Sequence, residues 1–163
     1  WGDSPREERE RALRDLDAVT PLLLAQSFVD RSRVAIAGQS RGGILTVAWT
    51  GRQPAIARAS INFVGGWMGA ACSSASAINR NIFRRGVSSG QPSIWLYGDG
   101  DPFYPLSHSR SNFADFQEAG GKGQFHEYAP TSGNGHFINN TPALWTAALE
   151  AYLAARGLPS RPQ

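Results

Sequence analysis

One stretch limits how this chain can fold more than any other: Val34-Ala35-Ile36-Ala37-Gly38-Gln39-Ser40-Arg41-Gly42-Gly43. A short apolar run meets a G-x-S-x-G turn, and Ile44, Leu45, Val47 and Ala48 then recur in a helical pattern over 42–51. An apolar run without alternation suits a strand buried on both faces, as in a parallel sheet. Glycines at 38 and 42 leave room where strand and helix nearly touch. Ser40 is then expected on a strained turn with its hydroxyl raised above the sheet. The helix terminus beneath it adds a positive dipole end, and the Arg41 N–H is expected to donate to an oxyanion.

The remaining pattern alternates in the same way. Ser4-Pro5-Arg6-Glu7 reads as a capping box, and Leu13, Leu16, Val19 and Leu23 predict an amphipathic helix that Pro21 kinks or divides. Strands are predicted at 60–64, ended by Gly65-Gly66, at 93–97, ended by Gly98, and more weakly at 124–128. Helices are predicted at about 75–85, at 107–119 and at 142–155. Strands alternating with helices give an α/β fold with a parallel sheet. Chemistry in such sheets gathers beyond the carboxyl ends of the strands.

Two further polar groups fall at those ends. Gly98-Asp99-Gly100-Asp101-Pro102 follows the third strand, and either carboxylate could orient a histidine. Gly133-Asn134-Gly135-His136-Phe137 follows the fourth. A serine hydroxyl is a poor nucleophile unless a base takes its proton, and a histidine base needs a carboxylate to hold its tautomer. The chain offers one of each after strand ends, in the order Ser, Asp, His.

These segments together resemble an α/β-hydrolase of the dienelactone hydrolase-like or prolyl-oligopeptidase-like group. The likeness runs from about Ala12 to Leu158 and rests on V-A-I-A-G-Q-S-R-G-G, I-N-F-V-G-G-W, W-L-Y-G-D-G-D-P-F-Y-P and G-N-G-H-F. It implies Ser40 as nucleophile, His136 as base, and Asp101 rather than Asp99 as the acid. Dienelactone hydrolases proper use a cysteine nucleophile, so Ser40 points to the serine esterase-like members. The resemblance implies a fuller sheet of about eight strands, of which the last four are recognised. Residues 1–163 are therefore expected to be the carboxyl-terminal portion of a single α/β-hydrolase domain, from the nucleophile strand onward. The loop that supplies a second oxyanion donor is not among them, and the nucleophile strand becomes an exposed edge.

The expected activity is hydrolysis of a small carboxylic ester or related acyl compound through an acyl-enzyme, with no metal or cofactor. The first alternative is a non-catalytic fragment or interaction module. Its sheet edge would pair with a missing amino-terminal portion, a second copy in a homo-oligomer, or a partner. The second alternative is a serine peptidase-like hydrolase. Gln39, Trp67, Phe103, Tyr104 and Phe137 lie beside the proposed triad in sequence and are candidate substrate-binding residues.

Composition narrows the rest. Of 163 residues 41% are hydrophobic and 18% charged, which excludes a disordered chain. One cysteine and three histidines leave no internal disulfide and no zinc site. No apolar run approaches membrane-spanning length, and no signal peptide is visible, so no membrane partner and a cytoplasmic location are expected. The net charge of +3 comes without a clustered basic stripe, and Arg6 to Asp17 mixes both signs, so no nucleic-acid partner is expected. Cys72 reads as an idle thiol, and His108 and His126 as surface or packing residues. Arg84-Arg85 reads as a solvated helix end or, less simply, as a contact for an anion.

Overall fold

The computed structural model describes residues 4–131 and 133–159. Helix α1 (Pro5–Leu24) opens with the expected capping box: Glu7 N–H donates to Ser4 Oγ, and Ser4 N–H donates to Glu7 Oε2 at 2.7 Å. Pro21 lies inside the helix without dividing it. Then follow β1 (Ala35–Gln39), α2 (Arg41–Arg52), β2 (Ala59–Phe63), α3 (Ala75–Phe83), β3 (Ser93–Gly98), α4 (Leu106–Glu118), β4 (Gly123–Tyr128) and α5 (Pro142–Ala154). Two 3-10 segments interrupt this alternation, Arg84–Ser89 after α3 and Gly135–Asn140 before α5. The helix expected to run to Arg85 therefore tightens at Arg84.

The four strands form one parallel sheet in the order β1-β2-β3-β4. β2 and β3 are buried along their whole length, so their uninterrupted apolar character matches their place. Trp95 on β3 sits at the centre of the core, with Phe83 4.3 Å, Phe113 5.1 Å and Phe116 5.4 Å away between ring centroids. These contacts fasten α3 and α4 to one side of the sheet. On α5, Tyr152 accepts from Ser60 N–H at 2.9 Å and donates to the Pro92 carbonyl at 2.8 Å. Edge-on contact of Trp145 with Phe63 at 5.0 Å adds to that attachment.

The β1 edge of the sheet lies open, as the resemblance implies, although the apolar run taken alone suits burial on both faces. β1 is only partly covered, with Ala35 and Ala37 exposed, because β2 is its one strand neighbour. Its apolar run therefore does not mean burial on both faces here. The stripe on α1 is likewise half used. Leu13 is buried and Leu16 packs on the core, whereas Val19 and Leu23 stay more than half exposed. Among the described residues no helix is long and apolar enough to cross a membrane.

Candidate active site

Ser40 stands between β1 and α2 with φ 56° and ψ −123°, a backbone region that side chains rarely occupy. The turn is held there by main-chain bonds. Ser40 N–H donates to the Phe63 carbonyl at 3.0 Å, and the Ser40 carbonyl accepts from Gly43 at 3.0 Å and Gly66 at 3.2 Å. Gly38 supplies the expected clearance: a Cβ there would lie 2.2 Å from the Gly42 carbonyl oxygen. Gly42 does not, since a Cβ on it meets nothing within 4 Å. The second tight glycine is Gly43, where a Cβ would come within 2.4 Å of Asn62 Oδ1. Its role was hidden because the obstruction comes from β2, not from the turn itself.

The two candidate acids separate cleanly. Asp99 is exposed, and its Oδ1 accepts from Gly100 N–H in a local turn. Asp101 is 3% exposed, and its Oδ2 lies 2.9 Å from His136 Nδ1. Its Oδ1 accepts from Phe103 N–H at 2.8 Å and Tyr104 N–H at 3.0 Å. A carboxylate engaged on both oxygens has no freedom to turn away. His136 reaches it because Gly98 and Gly135 meet backbone to backbone, with a Cβ on Gly135 falling 2.1 Å from the Gly98 carbonyl oxygen. The imidazole itself is packed edge-on against Phe103, with 4.8 Å between centroids.

Ser40 and His136 line one cleft of about 280 Å³ together with Arg41, Trp67, Gly69, Phe103 and Tyr104. With Nδ1 directed at Asp101, Nε2 is the ring nitrogen left for exchange with a hydroxyl. The Tyr104 hydroxyl donates to the Gly66 carbonyl at 2.7 Å and lines the cleft beside Ser40. Burial holds the Tyr104 phenol above its ordinary pKa, with the neighbouring Ser40 side chain and the Arg41 charge opposing the shift. The Arg41 guanidinium lies over the Trp67 ring at 5.0 Å and reaches Glu8 at 3.5 Å, so this side chain forms a wall rather than a free charge. As the first residue of α2, Arg41 also carries an N–H with no acceptor inside the helix.

Two of the expected substrate contacts lie elsewhere. Gln39 donates to the His136 carbonyl at 2.7 Å and so braces the histidine loop from behind. Phe137 is half exposed, packs edge-on beside His136, and does not line the cleft. Gly69 and Asn79 were missed. Asn79, fully buried on α3, accepts from Trp67 N–H at 2.9 Å and Met68 N–H at 3.0 Å and donates to the Met68 carbonyl at 2.9 Å. It fixes the wall that carries Trp67, and an isolated helical asparagine gives no sequence signal of that role. Among the described residues no group of three or more His, Cys, Asp or Glu could hold a metal ion.

The prolyl oligopeptidase family model matches residues 4–66, which hold α1, β1, the Ser40 turn, α2 and β2. No curated protein matches the chain. Among solved structures, it superposes on a thermostable esterase with a TM-score of 0.60 and 21% identity, covering 87% of this chain and 36% of that one. For SOBER1 of Arabidopsis thaliana the TM-score is 0.63 at 22% identity, covering 91% and 64%. For a Klebsiella pneumoniae protein assigned as a dienelactone hydrolase it is 0.56 at 18% identity, covering 88% and 67%. The chain thus spans 36% to 67% of the length of these three structures. These superpositions give the four-stranded parallel sheet and its flanking helices the fold of the α/β-hydrolases, and the prolyl oligopeptidase family model matches the segment that holds the Ser40 turn.

Proposed function

We propose that the chain carries the catalytic residues of a serine hydrolase that cleaves a small carboxylic ester or related acyl compound. The observation that carries this reading is the 2.9 Å contact between buried Asp101 and His136 in a cleft shared with Ser40 on its positive-φ turn. Ser40 Oγ attacks the acyl carbon while His136 Nε2 takes its proton. Asp101 holds the imidazole by its Nδ1–H and stabilises the imidazolium that forms. The Arg41 N–H, at the positive end of α2, donates to the carbonyl oxygen as it gains charge. His136 then gives the proton to the leaving alcohol as the tetrahedral intermediate collapses to the Ser40 ester. Water, deprotonated by the same nitrogen, attacks that ester and releases the acid and free Ser40. Trp67, Phe103 and Tyr104 supply the apolar wall against the acyl group.

The test is labelling with a fluorophosphonate together with turnover of p-nitrophenyl acetate. Both are expected in the chain and absent in Ser40→Ala. Labelling that survives Ser40→Ala overturns the assignment. The prolyl oligopeptidase match favours a second reading, in which the scissile bond is an amide. An aminoacyl p-nitroanilide cleaved faster than the matching ester would favour it.

A further inference from the structure

A second cleft, of about 490 Å³, lies between the first turns of α1, the side of α3 and the 3-10 segment after it. Arg6, Arg9, Ala77, Ile78, Asn81 and Arg85 line it, and none of them lines the Ser40 cleft. Its charge is poorly balanced. Glu10 Oε1 is shared between Arg85 at 2.8 Å and Arg9 at 3.5 Å. Glu7 is occupied in the capping box and Glu8 on Arg41. Among the described residues, three guanidinium groups therefore face one engaged carboxylate.

Arg9 is the telling member. It is only 7% exposed, its Nε is buried with no partner among the described residues, and its bond to Glu10 is long. Burial and the neighbouring Arg85 charge both push its pKa down from the ordinary value. Arginine nonetheless keeps its proton. A buried cation whose one described counter-charge is a long contact to Glu10 is costly unless a further anion lies against its guanidinium.

We propose that this cleft is an anion-binding site that takes a phosphate group. Donors converge from three elements: Arg6 and Arg9 on α1, Asn81 on α3, and Arg85 on the 3-10 segment. A tetrahedral anion with several acceptor oxygens can meet forks that approach from different directions. A planar carboxylate is satisfied by a single bidentate arginine. Ala77 and Ile78 give the same cleft one apolar wall, which suits the organic part of a phosphomonoester. The site stands independently of the hydrolase reading.

The experiment is calorimetric titration of inorganic phosphate and, separately, phenyl phosphate at constant ionic strength, with acetate and chloride as comparison anions. Saturable phosphate binding is expected, weakened about tenfold or more in Arg85→Gln and in Arg6→Gln and unchanged in Ser40→Ala. Arg9→Lys, which keeps the charge and most of the volume, should weaken binding without unfolding the chain. Phenyl phosphate binding tighter than phosphate identifies an organic phosphate ligand. Equal affinities identify the free anion, and either result supports the site. Phosphate binding no stronger than chloride, acetate binding tighter than phosphate, or binding that survives Arg6→Gln/Arg85→Gln overturns it.

Discussion

The two halves of the Ser40 cleft are built to different standards. The acid–base half hangs from the end of β3 and the loop after β4. There Asp101 has both oxygens engaged, and His136 is fixed by Asp101, Phe103 and Gln39. The nucleophile half hangs from β1, a partly exposed edge strand, and all the main-chain bonds that hold Ser40 come from α2, β2 and the turn after β2. The orientation of the base is thus written wholly into the described residues. The Ser40 turn, by contrast, is supported by the described residues from the α2 and β2 side only.

The sharpest way to break that comparison is Asp101→Asn. The shape is kept, but the amide no longer holds the imidazole in the needed tautomer or stabilises its charge. Turnover of p-nitrophenyl acetate should fall by about 10⁴-fold. Asp99→Asn, in the exposed turn, should change it less than about twofold, since surface substitutions of this kind are near neutral. Equal losses in the two variants would show that the acid–base half is not wired as described.

The next contrast probes the nucleophile half through its glycines. Gly38→Ala forces a Cβ to 2.2 Å from the Gly42 carbonyl and should destabilise the chain by about 1–3 kcal/mol in urea denaturation. Gly42→Ala meets nothing within 4 Å and sits in a helix, so it should stabilise by roughly 0.5–1 kcal/mol. The G-x-S-x-G pattern assigns both glycines the same role, so opposite signs would separate the pattern from its physics.

That pair shows what could be read from the sequence and what could not. The alternation of apolar runs and helical stripes located all four strands to within two residues, because burial fixes hydrophobic period directly. The order Ser40, Asp101, His136 was legible because each stands just past a strand or at its loop, where polar residues among glycines are conspicuous. The open edge at β1 was legible only through the resemblance: the run Val34 to Ala37 taken alone reads as a central strand, since local sequence records a strand's character and not its neighbours. Gly43 and Asn79 were equally silent. Their reasons for being there are contacts to β2 and to the Trp67 loop, both distant in the chain.

Tyr104→Phe tests the bridge between the halves, because the same residue bonds Asp101 through its N–H and, through its hydroxyl, the Gly66 carbonyl of the turn that holds the Ser40 main chain. Removing the hydroxyl leaves the Gly66 carbonyl without its donor and loosens the turn whose Gly66 N–H bonds the Ser40 carbonyl. A loss of about 1 kcal/mol, or roughly fivefold in kcat with KM unchanged, is expected. A change confined to KM would make Tyr104 a pocket wall and nothing more.

The smallest effect concerns the wall that carries Trp67. Asn79 Oδ1 accepts from two main-chain N–H groups, so its amide orientation is fixed and its Nδ2 must donate to His108 Nε2 at 3.0 Å. His108 can accept only while neutral. Burial lowers its pKa from the ordinary 6.5, so the folded state resists a proton that the unfolded state takes. The stabilisation is complete above pH 6.5 and is lost as the pH falls below it toward the folded value. His126 is shifted the same way by burial and contributes in parallel. The comparison is therefore between wild type and His108→Gln, with His126 left in place. The denaturation midpoint of wild type should fall more steeply between pH 7.5 and pH 5 than that of the variant. Tryptophan fluorescence should report the same difference at the Trp67 wall. Parallel slopes would mean that His108 protonation does not reach Asn79, and that the wall is held by the Trp67 and Met68 bonds alone.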